Sequence, residues 1–234
     1  MKRLVLATLA AFGLGAGGAS AQTLASLKHQ GLDPASGQPP KQLVVFFHGY
    51  TQKGEAMRPL ATALSKRLPD AAFVFDNGPL VQGSGFSWYD FQGPNAATTR
   101  QAAQDNAAKL VKSLSEAYKV APQNIVTVGF SQGGGVAAMG ATCSAPDVKA
   151  VVSLAGVIPQ VCQKEASGAP TKILIVWNEG DPTVKRDRID AGVATLKTAG
   201  YDADLKTYDG DAHWPAPDAL KAAEDFIVAE LGGR

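Results

Sequence analysis

Apolar residues fall along the chain in two kinds of run. Leu43–Phe47, Ala72–Phe75, Ile125–Val128, Val148–Leu154 and Ile173–Trp177 are continuous and rich in β-branched and aromatic side chains, while Ala203–Tyr208 alternates more weakly. Continuous runs of this length suit strands buried on both faces, as in a parallel sheet covered by helices. Between them the apolar positions recur at helical spacing. Met57, Leu60, Ala61, Leu64 and Leu68 form one stripe, stopped by Pro69, and Ala107, Leu110, Val111, Leu114 and Tyr118 form another ahead of Pro122. Val193, Leu196 and Lys197 continue toward Gly200, and Leu220, Ala223, Ile227 and Leu231 make a last amphipathic stripe. Strand–helix alternation with right-handed crossovers predicts an α/β fold: a doubly wound, mostly parallel sheet flanked by helices. No linker, repeat or low-complexity run divides residues 22–234, which read as one domain with no insertion large enough for a cap.

Two segments break the alternation. Ser26–Lys41 is rich in Pro and Gly and is expected to follow a short edge strand near Thr23–His29. Val81–Ala97 combines three glycines with four aromatics and is longer than an ordinary connection. A loop of that length is either functional or a packed Ω-loop whose aromatics cover the core.

Composition narrows the function classes. In 234 residues, 22 Lys+Arg face 21 Asp+Glu, so no global field favours nucleic acid or an anionic membrane. Hydrophobic residues at 45% support a core and argue against disorder. Two Cys and three His are too few for a Cys/His metal framework. Met1-Lys2-Arg3, the apolar Leu4–Phe12 run and Ala19-Ser20-Ala21 form the pattern of a secretory signal cut before Gln22. The run is too short and too broken by Gly to span ~30 Å of hydrocarbon. An exported, periplasmic or extracellular protein is therefore expected, with no stable membrane insertion. In an oxidising compartment Cys143 and Cys162 are expected to pair; the alternative is two buried thiols.

The chemistry concentrates at a few positions. Gly129-Phe130-Ser131-Gln132-Gly133 fits G-x-S-x-G, directly after the Ile125–Val128 strand and ahead of a Gly/Ala/Met stretch able to form a helix. That is the setting of a nucleophile elbow, whose tight strand-to-helix turn needs small neighbours and lifts the Ser hydroxyl above the sheet. No Lys-Ser/Thr follows the glycines, which excludes a phosphate loop. A Ser hydroxyl needs a base. In the order Ser, acid, His, only His213 lies downstream of Ser131; His29 is placed far from any strand end, and His48 reads as a loop-fixing residue. Asp181, just after the Ile173–Trp177 strand, is the preferred acid over Glu179, Asp209 and Asp211. Backbone N–H groups of Tyr50 and Gln132 are the candidate oxyanion donors. The scheme calls for no metal and no organic cofactor.

Taken together, Phe46-Phe47-His48-Gly49-Tyr50, Ser87-Trp88-Tyr89-Asp90, Gly129-Phe130-Ser131-Gln132-Gly133-Gly134, Gly180-Asp181-Pro182-Thr183-Val184 and Asp211-Ala212-His213 resemble the phospholipase/carboxylesterase family of α/β-hydrolases, which includes acyl-protein thioesterases. The resemblance implies a Ser131–Asp181–His213 triad, an oxyanion hole at Tyr50 and Gln132, and a pocket near Trp88, with neighbouring Phe86 and Tyr89 as further candidates for one wall. Thr51-Gln52-Lys53 stands where the family usually has a Gly-Asp pair, and Trp177-Asn178-Glu179 where it more often has His-Gly. With the signal, these features predict a secreted serine carboxylesterase acting on short- to medium-chain esters as small-molecule substrates. A lysophospholipase or polyester-oligomer hydrolase on the same triad is the first alternative, and a non-catalytic binding protein of the same fold the second.

Overall fold

The computed structural model describes residues 22–143, 148–164 and 171–233. The signal pattern at 1–21 lies outside them. In chain order the elements are β1 (Gly31–Leu32), β2 (Gln42–Phe47), α1 (Arg58–Ser65), β3 (Ala71–Val74), β4 (Leu80–Gln82), β5 (Gly85–Ser87), α2 (Ala96–Tyr118), β6 (Ile125–Phe130), α3 (Gln132–Thr142), β7 (Ala150–Leu154), β8 (Lys172–Asn178), α4 (Arg186–Thr198), β9 (Asp202–Tyr208) and α5 (Pro217–Glu230). Seven strands form one sheet in the order β1-β3-β2-β6-β7-β8-β9, all parallel except β1, which runs antiparallel to β3.

Burial explains the hydrophobic pattern. β3, β6 and β7 are buried at every residue, and β2 and β8 at all but their first, whereas the edge strand β9 buries only Ala203. Continuous apolar runs mark the strands covered on both faces, and the weaker alternating run marks the half-wet edge. α3 is buried along its whole length, consistent with a composition that includes no charged side chain.

Three expectations need correction. Thr23–His29 is not a strand: hydrogen bonds such as His29 N–H to Leu24 O (2.9 Å) close it into turns, with Lys28 at φ 63°. The edge strand is Gly31–Leu32 instead. Val81–Ala97 is not one continuous loop, because β4 and β5 pair as a short hairpin turning at Gly83 (φ 61°). Strands of three residues are too short to show a period. α2 also starts at Ala96, well before the expected stripe, through an alanine-rich turn sequence with few buried positions.

The crossover from β7 to β8 carries no helix among its described residues. A disulfide joins Cys143, at the C-terminal end of α3, to Cys162 in that crossover, with Cα atoms 5.0 Å apart. The bridge ties an extended connection to a buried helix and should contribute on the order of 3 kcal/mol by limiting the unfolded chain.

Candidate active site

β6 ends in the turn that shapes the site. Ser131 has φ 53° and ψ −117°, a conformation rarely adopted by a residue with a side chain, and its N–H is held by Leu154 O of β7 at 2.8 Å. α3 begins at the next residue. The turn is tight enough that a Cβ on Gly129 would lie 2.0 Å from Gly133 O, and one on Gly133 would lie 2.0 Å from Phe47 O. The small residues of the motif are a steric requirement of the backbone.

Above this turn three side chains form a line. His213 Nε2 is 2.8 Å from Ser131 Oγ, and His213 Nδ1 is 2.7 Å from Asp181 Oδ2. The Asp181 side chain is fully buried, while that of His213 keeps 20% exposure. The other carboxylate oxygen of Asp181 accepts N–H bonds from Thr183 (2.7 Å) and Val184 (3.0 Å). A buried carboxylate is tolerable only when satisfied in this way, and the same bonds fix its direction. Glu179 instead bonds Thr207 at 3.0 Å, away from the imidazole.

The loop carrying His213 is held by a residue to which the sequence assigns no role. Asn178 Nδ2 donates to Ala212 O (2.9 Å) and Trp214 O (3.0 Å), and its Oδ1 accepts from Ala216 N–H (3.1 Å). Asn178 is buried at the end of β8, three residues before Asp181. One strand end thus leads to Asp181 and anchors the loop that carries His213. Phe130 packs against the His213 and Trp214 rings, with centroids 4.8 and 4.6 Å away.

On the other side of β6, the loop after β2 presents Tyr50. His48 is fully buried and spans its own surroundings: Nδ1–H donates to Gly49 O at 2.7 Å, and Nε2 accepts from Gly78 N–H at 2.8 Å. Both ring nitrogens are occupied in the neutral form, and burial lowers its pKa against the opposing Gly49 bond. Gly49 N–H is taken by Gln52 Oε1 at 2.9 Å, so Gln52 braces the loop. Thr51 sits at φ 62°. Among the described residues neither Tyr50 N–H nor Gln132 N–H has an acceptor, and Gln132 is the first residue of α3, where intrahelical acceptors are lacking.

The Gln132 side chain has a separate task. It accepts from Trp88 N–H at 2.9 Å and donates to Tyr89 O at 2.8 Å, pinning the segment after the hairpin to the elbow. Trp88 is buried, donates its indole N–H to His48 O at 2.8 Å and packs on Phe47 and His48. Of the three aromatics expected at the pocket wall, Tyr89 lines the cavity beside Ser131. Trp88 does not, because its ring is consumed in holding the Tyr50 loop. Phe86 does not either, since it lies in the hairpin, where its N–H bonds Gln52 O.

That cavity measures about 450 Å³. Tyr50, Tyr89 and Phe91 form an edge-to-face aromatic chain along it, with Phe91 half exposed. Val157, Val184, Thr183, Gln92 and Arg188 complete the lining around Ser131 and Gln132. The contribution of the acid loop and of α4 was not legible, because nothing in the chain order says which helix start faces the elbow. No group of three or more His, Cys, Asp or Glu suited to a metal occurs among the described residues, and no helix there is long and apolar enough to cross a membrane.

The family model described as Phospholipase/Carboxylesterase matches residues 34–231. Acyl-protein thioesterase 1 of Saccharomyces cerevisiae is 26% identical over 83% of this chain and 95% of its own. Among solved structures, esterase PE8 superposes with a TM-score of 0.73 at 24% identity, covering 87% of this chain and 98% of that one. A Bacillus cereus carboxylesterase gives a TM-score of 0.72 at 15% identity, over 86% and 93%. At these identities the solved structures establish the shared fold.

Proposed function

The chain belongs to the phospholipase/carboxylesterase family, and from that premise we propose that it is an exported serine carboxylesterase acting on short- to medium-chain esters through an acyl-Ser131 intermediate. The observation that carries this reading is the continuous Ser131–His213–Asp181 line, with contacts of 2.8 and 2.7 Å. His213 takes the Ser131 proton as Oγ attacks the ester carbonyl, and Asp181 stabilises the resulting imidazolium and holds its tautomer. The negative oxygen of the tetrahedral intermediate is met by the N–H groups of Tyr50 and Gln132. His213 then delivers its proton to the leaving alcohol. Water, activated by the same imidazole, releases the acid and restores Ser131.

The chain-length preference rests on the size of the cavity and on its half-exposed aromatic rim, which give a long acyl chain limited cover. Export rests on the pattern of residues 1–21 and on the Cys143–Cys162 bridge, a feature of oxidising compartments. The named yeast relative is an acyl-protein thioesterase; a thioester presents the same carbonyl to Ser131, but an exported enzyme meets oxygen esters instead.

A fluorophosphonate probe tests the catalytic reading. Folded wild-type protein is expected to label and Ser131→Ala not to; absence of labelling in both would favour a binding protein of the same fold. A series of p-nitrophenyl esters is expected to peak at short or medium chains, and a maximum at palmitate would overturn the chain-length assignment. Protein recovered from the periplasm or medium should begin at Gln22.

A further inference from the structure

The acid loop runs directly into a cluster of cations, Lys185-Arg186-Asp187-Arg188, at the start of α4. Two of the three are committed. Lys185 Nζ donates to Asp181 O at 3.3 Å, and Arg186 pairs with Asp190 at 2.9 Å while stacking over Trp177. Arg188 is exposed, has no carboxylate or hydrogen-bonding partner for its guanidinium among the described residues, and is the one charged side chain lining the cavity that holds Ser131. It lies four residues beyond Val184, whose own N–H bonds Asp181. The same short segment therefore orients the acid and places a free cation at the rim.

Tyr89 is buried enough for its phenol to be pushed up to about 12, and the positive charges of Arg100 and Arg188 act against that rise. Arg100, at the N-terminal part of α2, has a buried Nε without a hydrogen-bond partner among the described residues. Asp90 lines an adjoining depression with Tyr50, Phe91 and Gln92 rather than the Ser131 cavity itself. An uncommitted guanidinium beside aromatic and aliphatic walls matches a ligand that is apolar in its body and anionic at one end.

Resting on the carboxylesterase reading, we infer that Arg188 is a specificity-determining residue that selects esters bearing a free carboxylate, such as monoesters of dicarboxylic acids. The carboxylate pairs with the guanidinium, the apolar spacer lies against Tyr89, Phe91 and Val157, and the scissile carbonyl sits at Ser131. Arg188 takes no part in bond making or breaking; it raises the occupancy of the productive pose.

Matched substrates test this. Monomethyl adipate and methyl hexanoate differ essentially in one terminal carboxylate on the acyl side, and 4-acetoxybenzoate and phenyl acetate differ likewise on the alcohol side. The readout is the ratio of kcat/KM for the charged over the uncharged member of each pair. In at least one pair that ratio is expected to fall about five-fold in Arg188→Gln, within the range of an exposed charge pair, and further in Arg188→Glu. It should also fall with added salt. Arg186→Gln removes the same charge two residues away and is expected to leave the ratio in place. The pair that responds identifies whether the acyl or the alcohol group carries the anion. Ratios unchanged by Arg188→Gln in both pairs would overturn the inference while hydrolysis of the uncharged esters keeps the carboxylesterase reading. Turnover of none of the four by wild-type protein would overturn both.

Discussion

Two histidine–aspartate pairs flank the elbow strand at equal distances in the sheet. Asp181 follows β8, two strands from β6 on one side; Asp76 follows β3, two strands from β6 on the other. Each carboxylate lies just beyond the C-terminal end of a parallel strand. Each accepts from an imidazole Nδ1, at 2.7 Å from His213 and 2.6 Å from His29. The carboxylates are both held by backbone N–H as well: Thr183 and Val184 for Asp181, Gln30 for Asp76. A short His–Asp contact at the functional end of an α/β sheet is therefore not in itself a catalytic device.

What separates the pairs is the second ring nitrogen and the surroundings of the acid. His213 Nε2 meets Ser131 Oγ, whereas His29 Nε2 has no partner among the described residues. Asp181 is sealed from solvent, so its carboxylate acts on His213 through a low-dielectric environment; the Asp76 side chain is 23% exposed. The loop after β2 also lies on the Asp76 side of β6, with Tyr50 and the His48 scaffold between that pair and the elbow. That flank presents the Tyr50 backbone N–H, and the other presents the His213 imidazole. The His29 pair instead fastens the N-terminal segment to the end of β3, alongside the Phe75 N–H to Gln30 O bond of 3.0 Å.

The largest effect should separate the nucleophile from everything else: Ser131→Ala is expected to lower kcat by 10⁴-fold or more, leaving what binding and the oxyanion donors provide. Matched substitutions then separate the two pairs. Asp181→Asn should reduce kcat by about 10⁴-fold with the fold intact, because the amide favours the wrong imidazole tautomer. Asp76→Asn should leave kcat/KM within about two-fold but lower stability by about 1 kcal/mol, a fall in Tm of roughly 2–4 °C. Ester hydrolysis and thermal unfolding on the same samples check both. Equal losses of activity in the two variants would mean that the Asp76 flank communicates with the elbow.

The third histidine sharpens the contrast by a smaller, pH-dependent effect. Burial lowers the His48 pKa below 6.5, so in the window below that value the unfolded chain binds a proton that the folded chain refuses. Stability is then fully present above pH 6.5 and lost progressively as pH falls toward the folded-state pKa. Tm measured between pH 7 and about 5 should decline less steeply in His48→Gln than in wild type. An unchanged slope would mean that burial of the neutral His48 ring contributes nothing to the pH dependence of folding.

This comparison also shows how far sequence carries. Chain order and strand position select Ser131, Asp181 and His213, and the structure brings those three within hydrogen-bonding distance. The inner parallel strands announce themselves because they are buried on both faces. The sequence places His29 far from any strand end, yet it closes on Asp76, 47 residues away. Such a contact leaves no local pattern, since it depends on a two-residue strand, β1, bringing its segment back along β3. Trp88 was legible as important but not in its role: adjacency to the pocket motif cannot tell a ring facing substrate from one bonded to His48 O. Asn178 was visible only as a departure from the usual family pattern, and its three bonds to the base loop exist only once β8 and the 212–216 segment lie side by side.

The other departure, Thr51, yields the smallest and most local test. It stands at φ 62° where a glycine would be unstrained, and a β-branched residue there costs on the order of 1–3 kcal/mol. Its hydroxyl donates to Tyr50 O at 2.7 Å, which offsets part of the strain. Replacement by glycine relieves the strain but removes that bond and frees the unfolded chain. The net gain in stability should be small, on the order of 0.5 kcal/mol, or about 1–2 °C in Tm. Activity should move the other way, because Tyr50 N–H is an effective donor only when its direction is fixed before the reaction. A two- to five-fold fall in kcat with little change in KM is the expected order of effect. A fall in KM-dependent terms alone would place Thr51 in substrate binding, whereas loss of kcat with gained stability identifies the β2 loop as strained in the service of its donor.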